Sequence, residues 1–150
     1  MDKFLIFIFV FFLFLINKSY SQEKYYLTLR NDKVNLRQGP SFKHPVKLIY
    51  NKKFLPLLIQ DKSENFRKIL DHENNSGWIH ISQLSKKKSA INIRDNSIIY
   101  KKPTLFSKPI AKVKSGKLLI IKKCTKKWCK ITANEYKGWI LKNYLWGNIR

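Results

Sequence analysis

Three features of the chain predict an all-β fold made of two small barrels in tandem. A nine-residue stretch, Ser76-Gly77-Trp78-Ile79-His80-Ile81-Ser82-Gln83-Leu84, is matched 61 residues later by Lys137-Gly138-Trp139-Ile140-Leu141-Lys142-Asn143-Tyr144-Leu145. Short apolar runs bounded by turn residues fill the chain, and none sustains a 3.6-residue apolar period. The other apolar segments of the first half recur in the second in the same order.

Taken in order, Tyr25 to Leu29 forms a first strand, and Asp32 to Arg37 alternates until Gly39-Pro40 breaks it into a loop. Val46 to Tyr50, Phe54 to Gln60 and Phe66 to Leu70 are further strands, with Pro56 favouring an edge or a bulge. Asp61 to Asn65 and Asp71 to Ser76 read as polar turns, and Gly77 to Leu84 closes the unit. After a charged linker, Ser85 to Ser89, the pattern restarts. Ile98 to Pro103 aligns with Asn35 to Pro40, Pro109 to Leu118 with Pro45 to Phe54, and Trp128 to Ile131 with Phe66 to Ile69. The offset moves from 63 to 64, then 62 and 61, and such changes belong in turns. Five short strands per unit are too few for a sandwich and enough for a small closed barrel. Units this small bury only about 60% of their unfolded surface, so the two are expected to pack together. A single intertwined β domain is the alternative.

The N-terminus sets the compartment. Phe4 to Ile16 is an unbroken 13-residue apolar run, shorter than a bilayer span, and Ser19-Tyr20-Ser21 places small residues before Gln22. Residues 1–21 therefore read as a signal peptide, 22–86 as the first barrel and 87–150 as the second. Asp2 offsets Lys3, and if the segment stays uncleaved it anchors the chain, the one membrane contact expected. Cys124 and Cys129 flank Thr125-Lys126-Lys127-Trp128, the tip of an expected hairpin, where facing residues lie close enough to bridge. A disulfide is expected there, since two cysteines without a nearby histidine fall short of a zinc ligand set.

The formal charge is +22, concentrated in the second half, where Ala90 to Arg150 holds 15 Lys/Arg against 2 Asp/Glu. Such an excess attracts polyanions, although abundant Lys, Ile, Asn and Tyr also follow from AT-rich coding. A basic barrel with aromatics can bind single-stranded nucleic acid, but export argues against that as a physiological partner.

Lys33-Val34-Asn35-Leu36-Arg37-Gln38-Gly39-Pro40, followed by Gly-Trp-Ile and a closing Leu, resembles the bacterial SH3 domain family. The second half, with Trp128-Cys129-Lys130-Ile131, Tyr136 to Ile140 and Asn143 to Gly147, is similar to exported tandem SH3-like proteins of alphaproteobacteria. The resemblance spans roughly residues 27 to 147 and implies two SH3-like barrels, an envelope location and binding of cell wall or protein. Ile98 to Pro103 lacks the Asn, Arg and Gly of the first copy, so a groove shaped by that motif is expected in the first copy only.

No zinc-protease spacing, nucleophile elbow or phosphate loop is present, and neither a metal nor a cofactor is expected. Asp71-His72-Glu73 reads as a solvated hairpin tip in preference to a metal site. Gly77, Trp78, Gly138 and Trp139 are expected to mark the fold, with both tryptophans in the cores. Arg37, Gln38, Phe42, Trp128, Tyr136, Lys126 and Lys127 are the candidate ligand-binding residues. The predicted function is that of an exported, non-enzymatic binding protein whose partner is a cell-wall polymer or an envelope protein. The alternatives are a structural or regulatory partner of another envelope protein and, least favoured, a wall hydrolase.

Overall fold

The computed structural model describes residues 24–149; the segment predicted to be a signal peptide lies outside them. The first unit contains β1 (Tyr25–Leu29), β2 (Val34–Arg37), β3 (Val46–Tyr50), β4 (Pro56–Ser63), β5 (Phe66–Leu70), β6 (Ser76–His80) and β7 (Leu84–Ser85). The second contains β8 (Ser89–Asn92), β9 (Ser97–Tyr100), β10 (Pro109–Val113), β11 (Leu118–Cys124), β12 (Trp128–Ala133), β13 (Tyr136–Leu141) and β14 (Leu145–Gly147). Single 3-10 turns, Ile81–Gln83 and Lys142–Tyr144, precede the last strand of each unit. The sheets run β3-β2-β6-β5-β4-β1-β7 and β10-β9-β13-β12-β11-β8-β14, the same order twice, as the repeat predicts. All the pairings are antiparallel.

The registers also repeat. Tyr50 opposes Val34 as Val113 opposes Ser97, and Val46 opposes Arg37 as Pro109 opposes Tyr100. The offset therefore stays at 63 through β10, and the step to 64 expected at Pro109 does not occur. Each unit has seven strands where five are expected, because Val34–Arg37 pairs as a strand of its own and the expected closing strand, Gly77 to Leu84, is broken by the turn Ile81–Gln83 into β6 and β7. Two boundaries also differ from expectation. β4 starts at Pro56, where a missing N–H costs least, and runs to Ser63 through the expected turn at Asp61, with the reversal at Glu64 in the left-handed region (φ 45°). Ser85 and Ser89 belong to strands, leaving only Lys86 to Lys88 as linker.

Alternation decides what is inside. In β6 Gly77 and Ile79 face the core, so Trp78 lies half-buried on the outer face, opposite Lys68 and Arg37. Trp139 is placed likewise, with Lys123 Nζ 5.7 Å from its ring centre. The two tryptophans expected in the cores are thus outward. The reason is steric. A Cβ at Gly77 would lie 2.7 Å from the Arg37 carbonyl, and at Gly138 2.6 Å from that of Tyr100, so glycine must take the inward site and its neighbour the outward one. The cores are aliphatic: Leu29, Leu36, Leu57, Ile69 and Ile79 in the first unit, and Ile99, Leu119, Ile131 and Ile140 in the second.

The units share a boundary strand. All four residues of β8 are buried, Ala90 in the second core and Ile91 in the first. Ser89 Oγ donates to the Phe54 carbonyl at 2.6 Å, and Tyr26 meets Trp146 edge-to-face at 5.3 Å. Packing between the units, expected from their size, is therefore present.

Each unit holds a buried polar knot of its own. In the first, Asp71 is 2% exposed, not the solvated tip expected of it. It accepts from Tyr50 Oη, from Asn75 Nδ2 and from the backbone N–H groups of Glu73 and Asn75, so burial leaves its oxygens satisfied. Burial, reinforced by the bond to Asp71, pushes the Tyr50 hydroxyl pKa up. In the second, buried Asn92 donates to the carbonyls of Arg94, Val113 and Lys114 and accepts from Ser97 Oγ.

Cys124 and Cys129 oppose each other across β11 and β12 and form the expected disulfide. In the first unit the matching pair is Lys62 and Arg67. Reduction is expected to lower the stability of the second unit by about 2 kcal/mol, because the closed loop is short. Thermal melts with and without reductant check this, and coincident melts would contradict it.

Candidate functional site

The β2–β3 loop, residues 38–45, folds over the end of the first unit and forms one wall of a groove of about 300 Å³. Phe42, Phe66 and His80 make its aromatic floor, each pair of ring centres 5.1 to 5.2 Å apart. Lys33, Asn35, Arg37 and Gln83 complete the lining, which contains two cations and no carboxylate.

Backbone bonds close the loop, and side chains of the motif and the loop reinforce it. Arg37 Nη1 donates to the carbonyls of Phe42 (3.2 Å) and His44 (2.9 Å), and its guanidinium lies 5.5 Å from the centre of the Phe42 ring. His44 packs onto Gly39, where any Cβ would come within 2.3 Å of the imidazole, and its Nδ1 meets Ser41 Oγ at 2.8 Å. Arg37 is thus both a latch for the loop and part of the groove wall. Gln38 is exposed, its backbone N–H bonded to the Pro45 carbonyl, and it does not line the groove.

A second groove of about 360 Å³ occupies the same place in the second unit. Asn96, Ile98, Tyr100, Leu105, Leu141 and Tyr144 stand where Lys33, Asn35, Arg37, Phe42, His80 and Gln83 stand in the first. The expectation that the groove survives in one copy only is therefore corrected. Backbone topology makes the groove in both copies, and the Arg37 latch is an addition of the first. Its chemistry has changed from cationic and aromatic to more apolar, with Arg94 4.5 Å above the Tyr144 ring at one end.

The other expected ligand residues lie apart. Trp128 is 8% exposed, takes the place of Phe66 and packs edge-on against Tyr100 at 5.7 Å, so it does not face a partner. Its position facing Leu141 across the β12–β13 pair places it behind the second groove. Tyr136 is exposed at the start of β13, beside Ala111 and Val113. Lys126 and Lys127 border a separate cleft with Leu141, Lys142, Leu145 and Ile149. The groove residues missed by sequence reasoning are Lys33, Asn35, His80 and Gln83; Phe66 stands out in the sequence only as an aromatic near a strand end. The one available signal was alternation, which puts Lys33, Asn35 and Arg37 on the face of β2 opposite Val34 and Leu36. His72 is mostly covered, 3.8 Å from Glu73, and no cluster of three metal-ligating side chains occurs among the described residues.

The bacterial SH3 domain family matches residues 30–86 and again 94–147, the two stretches that build the two grooves. The chain belongs to the bacterial SH3 domain family. No curated protein matches it. Among solved structures, this tandem SH3 chain is similar to NlpC2 from Trichomonas vaginalis at 16% identity and a TM-score of 0.38, covering 83% of this chain and 48% of that one. NlpC1 from the same organism gives 16% identity and a TM-score of 0.37, covering 85% and 47%. An NlpC/P60 family protein from Bacillus cereus gives 13% and 0.36, covering 81% and 55%. The SH3 chain spans about half the length of each, and likeness at this level says nothing about activity. A tandem SH3 chain with a disulfide fits an exported protein.

Proposed function

We propose that this protein is a non-enzymatic binding module of the bacterial envelope and that the groove of its first SH3 unit takes peptidoglycan. The observation that carries the reading is a groove with an aromatic floor and two cations, free of carboxylate. Lys33 and Arg37 suit the carboxylates of a wall peptide, and the exposed face of Phe42 suits the apolar face of a sugar or an alanyl methyl. Binding without catalysis is supported by the cysteines, both held in the disulfide, so that neither offers a thiolate nucleophile. His80, the imidazole in the groove, is engaged through Nδ1 with Ser82 Oγ at 2.7 Å.

The chain from Gln22 onward, which contains every described strand, is expected to sediment with purified sacculi at low salt and, more weakly, at high salt. Phe42→Ala is expected to weaken that binding about tenfold and to leave the melting transition in place, because the ring is 66% exposed. No sedimentation at any salt, or equal binding by the variant, would overturn the reading. Capture of one stoichiometric envelope protein without sacculus binding would assign the groove to a protein partner.

A further inference from the structure

The β9–β10 loop, residues 101–108, reproduces the backbone frame of the β2–β3 loop, without the Arg37 and His44 side-chain bonds of the first copy. Lys101 N–H donates to the Lys108 carbonyl as Gln38 N–H does to that of Pro45, both at 3.0 Å. Thr104 bonds back to Lys102 as Ser41 does to Gly39, and Ser107 to Thr104 as His44 to Ser41. Phe106 N–H reaches Thr104 Oγ1 as Lys43 N–H reaches Ser41 Oγ. The frame is therefore common to both copies, and side chains can be compared position by position.

At the inner position Phe42 is drawn onto Phe66 and His80. Leu105 replaces it, lines the second groove and is exposed to much the same degree, 60% against 66% for Phe42. At the tip the first copy carries Lys43, an ordinary solvated cation, whereas the second carries Phe106, which is 100% exposed. A fully exposed phenylalanine on a loop closed by its own hydrogen bonds contributes nothing to the fold and presents apolar surface outward. Lys101, Lys102, Lys108 and Lys112 are exposed on both sides of it. No Asp or Glu occurs from Lys101 to Asn134. An exposed apolar tip flanked by lysines, with the nearest groove carboxylate, Asp95, on the β8–β9 side of Leu105, matches an extended anionic plane better than a concave protein pocket, and a bilayer with anionic headgroups is such a plane.

We propose that this loop is a membrane-docking tip. Leu105 and Phe106 enter the boundary between headgroups and acyl chains of an anionic bilayer, and Lys101, Lys102 and Lys108 meet its phosphates. The proposal is independent of what occupies the groove of the first unit.

Cosedimentation of the chain from Gln22 onward with phosphatidylglycerol–phosphatidylcholine vesicles, and with phosphatidylcholine alone, tests it. Binding to the anionic vesicles only is expected. Phe106→Ser is expected to weaken it about tenfold, as removal of one buried aromatic should, at unchanged net charge and unchanged melting temperature. Lys43→Ser, the matched site of the first loop, is expected to change it by less than about twofold, because that tip does not face the bilayer. Failure of the wild type to bind anionic vesicles would overturn the proposal. So would Phe106→Ser binding like the wild type, which would reduce the effect to general charge. Loss of capture of an acidic protein on Phe106→Ser, with vesicles ignored, would reassign the tip to a protein partner.

Discussion

Gly77→Ala is expected to destabilise the first unit by about 2–3 kcal/mol, the range for forcing a methyl into a packed interior. The added Cβ would lie 2.7 Å from the Arg37 carbonyl and 2.8 Å from Leu36 Cγ. Neither neighbour can move away. The carbonyl belongs to β2, paired there with β6, and Leu36 is fully buried. Gly138→Ala meets the same obstacle, at 2.5 Å from Ile99 Cγ2. Urea unfolding should show the loss for each variant. A midpoint unchanged for Gly77→Ala would mean that the close crossing of β2 and β6 does not hold, and with it the outward placement of Trp78.

Asp71→Ala is expected to cost about 3 kcal/mol, because it strands the Tyr50 hydroxyl and three N–H donors around Asp71 without their acceptor. Adding Tyr50→Phe should then cost less than it does in the wild type, since its partner is already gone. The second unit shows that the site tolerates an apolar solution. Val113 and Ala133 hold the positions of Tyr50 and Asp71, and both are buried. Strict additivity in the double-mutant cycle would contradict the coupling.

The repeat, the unit count and the disulfide were legible in the sequence because each rests on spacing, and spacing survives divergence. The pairing order of the strands, which depends on long-range contacts, was not. Burial of the tryptophans was misread for a definite reason. Gly-Trp-Ile-His offers two alternating faces, and bulk favours placing Trp78 inside, whereas the constraint comes from the residue with no side chain. Asp71 misled in a similar way. A carboxylate between Leu70 and His72 looks like turn surface, and only the long-range approach of Tyr50 reveals a buried acceptor. The groove was half legible. Arg37 belongs to the local motif and Phe42 to the loop that follows it, but Phe66 and His80 arrive from β5 and β6, and no local pattern joins them to it. Loss of the motif in the second copy suggested loss of the groove, but the loop that builds it is held mainly by backbone bonds that any sequence can make.

The central claim is that the first unit binds wall material in the groove between the β2–β3 loop and β6. Titration of a soluble muropeptide into the isotopically labelled chain, followed by amide and side-chain chemical shifts, tests it most directly. The predicted result is a set of shifts confined to Lys33, Asn35, Phe42, His80 and their neighbours, with the matching residues Asn96, Ile98, Leu105 and Leu141 unmoved. Shifts centred on the second groove or on the hairpin of Lys126 and Lys127, or none at saturating ligand, would contradict it.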